Sequence, residues 1–215
     1  MPESASILTP QTLRSAFVRL GELAHARGLV IDIAVYGGSA LMLASNFRVA
    51  TADVDAVVFP DQQPITELAD IVAIERNWPR DWLNDGVRTY LSPEVDGLAE
   101  HHELFDAYPS QQQPGVRVFV PSPAYLLAMK LMAMRTDPAA GSHDLDDILN
   151  LIQVLGITSK DELLAFARSF YPSTRENVRA RLHIEALWSH VRTSSAPKEP
   201  HEPPHYLGRR RNDPA

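Results

Sequence analysis

The apolar positions of this chain change period along its length. From Thr9-Pro10 they follow a helical spacing through Leu13, Phe17, Leu20, Leu23 and Ala24, and Gly28 breaks the run. Thr9 and Pro10 fit the N-cap and first helical position. The spacing then shortens to two. Ile31, Ile33 and Val35 alternate with Asp32 and Ala34, which predicts a strand over Val30–Tyr36. A short helix is expected over Ser39–Phe47 and a second strand over Asp53–Phe59, stopped by Pro60. Pro64–Arg76 reads as a helix, Asp81–Gly86 as a turn and Val87–Leu91 as a short strand. Residues 92–113 show no clear period. Val116–Val120 alternates again. Beyond it the spacing is helical throughout. Ser122-Pro123 opens one helix to about Arg135, and Ser142 opens another to Leu155. Two more are expected near Ser159–Ser169 and Ser173–Val191. From Thr193 the chain is rich in proline and poor in apolar residues, the composition of a disordered tail. The pattern therefore predicts an α/β (α+β) protein. Residues 1–121 would form a mixed sheet flanked by helices, 122–192 a helical part packed on that core, and 193–215 a tail.

Composition narrows the chemistry. The chain has 215 residues with 45% hydrophobic and 22% charged, an ordinary balance for a globular protein. It has no cysteine, which excludes disulfides, thiolate nucleophiles and cysteine-based zinc sites. The N-terminus lacks a basic-then-apolar leader, and no apolar run would span a bilayer. A cytoplasmic location without membrane contact is the expectation. The net charge of −7 argues against a uniformly basic nucleic-acid surface, although arginines cluster locally over Arg175–Arg192.

The segment Tyr36-Gly37-Gly38-Ser39 joins the first strand to its helix. A helix N-terminus opened by glycines attracts anions such as phosphate. Glycine pairs with a serine cap also occur for structural reasons alone. The second strand brings Asp53 and Asp55 at i and i+2, so both carboxylates fall on one face, roughly 6–7 Å apart. Like charges so placed repel, and a divalent metal with its preference for hard oxygen ligands is the usual compensation. Aspartate is also unfavourable inside strands. A phosphate cradle beside a metal-binding carboxylate pair points to nucleotide chemistry.

Lys130 lies within the apolar stripe of Leu127, Leu131 and Met134, so it must either extend to solvent or meet an anion. In the second case its ammonium faces a phosphate or the Asp53/Asp55 pair. Asp144, Asp146 and Asp147 complement the dipole of a first helical turn, which explains acids there without a site. Asp144 borders Ile148, Leu151 and Leu155. The eight histidines are scattered and read as surface residues.

Together, Gly37-Gly38-Ser39, Arg48, Thr51, Asp53 and Asp55 resemble the opening motif of the nucleotidyltransferase superfamily, with its DNA polymerase β-like fold. Leu127–Arg135 with Lys130, then Asp144 and Asp147-Ile148, resemble the AbiEii-like branch, which contains toxins of toxin–antitoxin systems. Trp82-Leu83-Asn84-Asp85 is similar to uncharacterised bacterial members. The resemblance spans about residues 30–155. It implies that Asp53 and Asp55 hold Mg²⁺ (or Mn²⁺) bridging a nucleoside triphosphate. Gly37, Gly38, Ser39, Arg48, Thr51 and Lys130 would bind the nucleotide. Asp144 would join the active site with Asp147 in support. The acceptor would be a hydroxyl of RNA, such as tRNA, or of protein, and an antitoxin protein would be the partner. One departure stands out: many members carry a third carboxylate on a later strand, whereas Val116–Val120 offers Arg117. Asp85, Glu103 and Asp106 lie off the pattern. A one-metal enzyme, or a degenerate module that binds nucleotide or a partner without turnover, is the alternative expectation.

Overall fold

A computed structural model of the chain describes residues 7–45, 47–59, 63–134, 142–172 and 174–191. These residues form a mixed α/β protein with seven α-helices and a five-stranded sheet. They divide into two compact units. One comprises residues up to 88 together with His102–Val120, and the other comprises Thr89–His101 and the residues from Pro121 onward.

The first unit holds the strands β1 (Ile31–Val35), β2 (Val54–Phe59), β3 (Leu83–Asn84), β4 (His102–Pro109) and β5 (Pro114–Pro121), in the order β3–β2–β1–β5–β4. β1 runs antiparallel to β2, with Ile33 opposite Val58, and parallel to β5, with Ile33 opposite Val118. Residues opposite one another share a face. Ile31, Ile33, Val35, Val54, Ala56, Val58, Val116 and Val118 therefore project together. They meet Leu13, Phe17 and Leu20 of α1 (Pro10–Ala26) and Leu68 and Val72 of α3 (Gln63–Arg76) in one buried core. Each such side chain taken fully from water contributes about 1.5–3 kcal/mol. The other face carries the polar positions Asp32, Asp55 and Arg117. Asp32 and Arg117 are register partners and form a two-pronged ion pair at 2.6 and 2.7 Å.

Local chemistry sets the ends of α1. Thr9 and Thr12 exchange side chain-to-backbone bonds in a reciprocal cap, and Gly28 follows the helix at φ +71°. α1 also lies unusually close to the β4–β5 hairpin. A Cβ on Gly21 would stand 2.3 Å from the Tyr108 carbonyl, and one on Gly115 would stand 2.0 Å from the Gly21 oxygen.

Two local expectations are corrected, and one stretch without a clear period gains an element. Val87–Leu91 is not a strand, because Gly86–Tyr90 forms a 3-10 turn; the strand on the other side of β2 from β1 is Leu83–Asn84, inside the expected turn. A strand, β4, occupies part of the unreadable stretch 92–113. The helix after β1, α2, spans Gly37–Ala44, so it starts on the glycines rather than at Ser39.

The second unit holds α4 (Pro123–Ala133), α5 (Ser142–Leu155), α6 (Lys160–Phe170) and α7 (Thr174–Val191). Ser122 caps α4 and Ser159 caps α6, each accepting a backbone N–H at 3.2 Å. Leu127, Leu131, Ile148, Leu151, Leu163, Ile184 and Leu187 are buried. Two tyrosines tie Thr89–His101 to these helices. The Tyr125 hydroxyl accepts from the Ser92 N–H at 3.1 Å, and the Tyr171 hydroxyl donates to the Tyr90 carbonyl at 2.6 Å. Within the arginine-rich stretch, Arg181 pairs with Glu185 at 3.6 Å. The tail expected from Thr193 lies outside the described residues. None of the described helices is long and apolar enough to cross a membrane.

Candidate functional site

The residues singled out in the sequence form two groups, one in each unit. The first grows out of the β1–β2 ladder. The Tyr36 N–H donates to the Asp55 carbonyl at 2.8 Å, which carries the ladder to the last residue before α2. Tyr36 is the N-cap of α2 and supplies no side-chain cap. Ser39 does not cap either. It is buried, and its hydroxyl donates to the Tyr36 carbonyl at 2.8 Å, so its proton serves the backbone.

Both glycines have a reason. Gly37 adopts φ +61°, a left-handed conformation that side chains disfavour, and a Cβ there would stand 2.8 Å from Asp55 Oδ2. A Cβ on Gly38 would stand 2.8 Å from Arg48 Nη1 and 3.2 Å from its Cζ. A carboxylate and a guanidinium thus rest against the first two residues of α2, in space that any larger residue would fill. The helix N-terminus and Arg48 supply positive potential where Asp55 supplies negative charge.

Asp53 stands one residue before β2 and is exposed. Its Oδ2 accepts from Asn84 Nδ2 at 3.0 Å. Thr51 shapes the approach to β2: its hydroxyl donates to the Asp53 carbonyl at 3.1 Å, and its backbone pairs with Leu8. The hydroxyl of Thr51, like that of Ser39, is engaged with backbone.

The second group is an ion cluster between α4 and α5. Lys130 is 8% exposed, and its Nζ lies 2.7 Å from Asp147 Oδ2 and 3.0 Å from Asp144 Oδ1. Asp147 is 2% exposed, whereas Asp144 is open to solvent. The lysine in the apolar stripe therefore meets anions, and those anions come from its own unit. Next to it in sequence, the Leu131 carbonyl accepts from the Nδ1 of buried His183 at 2.8 Å.

The histidines need a correction as well. His102 is half-buried and shares a 2.8 Å hydrogen bond with the Tyr36 hydroxyl. His101 packs on the rings of Tyr125 and Phe170. Neither Tyr36, His102 nor Asn84 carries a sequence signal for its place. Asn84 falls in a tetrapeptide of recognisable character, but only the β2–β3 register brings it to Asp53 and Asp55.

Asp53 and Asp55 offer hard carboxylate oxygens, the donor type magnesium takes from proteins, usually one or two carboxylates with phosphates and water completing the shell. Gly37 lets Asp55 Oδ2 approach the start of α2, where a Cβ would meet it at 2.8 Å. Among the described residues, no three His, Cys, Asp or Glu side chains gather as a metal-ligand group. Arg117, on the strand expected to carry a third acid, is the ion partner of Asp32. No family model matches this chain, and neither does any curated protein or solved structure.

Proposed function

We propose that the protein is a Mg²⁺-dependent nucleotidyltransferase that moves a nucleoside monophosphate from a triphosphate to a hydroxyl of RNA or protein. The observation that carries this reading is the packing of Asp55 and Arg48 against Gly37 and Gly38 at the start of α2. Carboxylates for a cation, a guanidinium and the backbone amides of a helix start are what a metal-bound triphosphate requires. Asp53 and Asp55 would hold the cation, which neutralises charge on the phosphate oxygens when bound. The amides of Gly37 and Gly38 and the guanidinium of Arg48 would hold the phosphates. The acceptor oxygen would bond to the α-phosphorus while the bond to pyrophosphate breaks, with the acceptor proton passing to solvent or to a carboxylate. Arg48 then meets charge as it grows on the leaving oxygens. Lys130, Asp144 and Asp147 balance one another within the helical unit, so this reading rests on the first group. A toxin acting on tRNA or on a protein, countered by an antitoxin protein, is the setting that the resemblance implies.

A second reading is a degenerate module that binds nucleotide or a partner without turnover. Two observations favour it: Ser39 and Thr51 direct their hydroxyl protons to backbone, and the strand expected to carry a third acid carries Arg117 instead, paired with Asp32. Incubation with each labelled nucleoside triphosphate, Mg²⁺ and total tRNA or lysate separates the two. Label transferred to RNA or protein, and lost on chelation, supports the enzyme. Binding without transfer supports the module.

A further inference from the structure

Asn84 stands opposite Asp55 in the parallel pairing of β2 with β3. Its Nδ2 donates to Asp53 Oδ2 at 3.0 Å, and its Oδ1 accepts from the Gly86 N–H at 3.0 Å. The second bond orients the first. Only the carbonyl end of the amide can accept from a backbone N–H, so the NH₂ end must face the carboxylate.

The strand that carries Asn84 is only two residues long, yet it is anchored. The Val54 N–H donates to the Trp82 carbonyl at 2.7 Å, and the buried Trp82 indole donates to the Ala69 carbonyl at 3.1 Å. Gly86 closes the other side. A Cβ there would stand 3.1 Å from Asn84 Oδ1 and 4.0 Å from Asp55 Oδ1. The amide is therefore fixed on Asp53, on the strand position beside Asp55, as a third polar side chain of the cluster, but a neutral one.

Charge counting gives this consequence. Asp53 and Asp55 offer two anionic ligands to a cation, and the amide of Asn84 adds no charge to them. An acid at position 84 would bring a third charge and a third anionic ligand into the same place. The amide instead occupies one oxygen of Asp53 and leaves Oδ1 without a partner among the described residues. We infer that Asn84 is a positioning residue that orients Asp53 and limits the site to a single divalent cation. This rests on the reading of Asp53 and Asp55 as the metal-holding pair.

The test is a titration of the full chain with Mn²⁺ alone, the free ion counted by electron paramagnetic resonance. The wild type should bind one Mn²⁺. Asn84→Asp should bind the first ion at least about tenfold more tightly and take up a second, because ligand charge sets affinity at such sites. Asn84→Ala should bind one ion several-fold more weakly. In chelator, three crowded carboxylates should lower the melting temperature of Asn84→Asp, and Mn²⁺ should restore it. A merely structural asparagine would give a loss that Mn²⁺ does not restore. If Asn84→Asp binds a single ion with wild-type affinity, or stays unfolded in Mn²⁺, the inference is wrong and the metal reading of the aspartates survives. Unchanged affinity in Asn84→Ala removes the positioning role. A wild type that binds no Mn²⁺ overturns both the inference and the reading beneath it.

Discussion

Lys130→Met keeps the length and most of the volume of the side chain and deletes its charge. From the sequence alone this substitution is expected to leave stability unchanged or to raise it, since it removes a cation from an apolar stripe. The structure reverses the sign. The ammonium lies 2.7 Å from Asp147, a carboxylate only 2% exposed, and 3.0 Å from Asp144. Removing one partner of a buried ion pair leaves the other with its desolvation cost, and the loss is about 3–5 kcal/mol. The Asp144 arm adds little, because that carboxylate is 57% exposed and solvent screens it. Urea unfolding followed by circular dichroism would measure the change. Lys130→Met with Asp147→Leu should recover most of the loss, since an apolar pair of similar volume replaces the ions. Asp144→Ala should cost at most about 1 kcal/mol. A loss under about 1 kcal/mol for Lys130→Met, or a double variant no better than the single one, would refute the view that this pair clamps α4 to α5.

The remaining predictions concern backbone fit and titration. Gly21→Ala should destabilise strongly, by several kcal/mol or loss of soluble protein, because its Cβ would stand 2.3 Å from the Tyr108 backbone; a melting temperature within a degree of wild type would contradict that close approach. Gly37→Ala must adopt φ +61° and push on Asp55, so a loss of about 1–3 kcal/mol is expected together with weaker nucleotide binding, measured by unfolding and by thermal shift. Burial, with the charge of Asp106 adding to it, pushes the Tyr108 phenol up to about 12. A raised folded-state value favours the neutral form, so its contribution is fully present below the ordinary value of about 10 and lost as pH rises toward 12. Stability measured across that window should fall, and Tyr108→Phe should flatten the fall.

What was legible in the chain follows from how local each feature is. β1, β2 and β5 announce themselves by apolar runs in which every second position is buried, Ile31, Ile33 and Val35, Val54, Ala56 and Val58, and Val116 and Val118, with the intervening positions admitting Asp32, Asp55 and Arg117. The caps at Thr9, Ser122 and Ser159 are local chemistry and appear where expected. β4 does not announce itself. His102, Glu103 and Asp106 interrupt its apolar positions, and it earns its place by packing beneath α1. β3 is too short for any periodicity, and Val87–Leu91 has strand-like residues but no strand to pair with. The glycines mark the turn, but their spatial reason, Asp55 on one and Arg48 on the other, is a tertiary fact. So is Asn84, which only the β2–β3 register brings to Asp53. The burial of Lys130 was readable from helical spacing, whereas its partners depend on how α5 packs on α4.

The most direct measurement for the carboxylate pair is a thermal shift with nucleoside triphosphate and Mg²⁺, added separately and together, on wild type, Asp53→Ala and Asp55→Ala. A ligand that binds only the folded state stabilises it by mass action, about 2.7 kcal/mol at one hundred times its dissociation constant. The wild type should gain more stability from metal and nucleotide together than from either alone, with at least one of the four nucleotides. Both variants should fold normally, with a melting temperature equal to or slightly above wild type, since one of two like charges is gone. Neither should respond to the metal–nucleotide pair. An equal shift with and without metal, or a full shift retained in Asp53→Ala and Asp55→Ala, would contradict the assignment of these two aspartates.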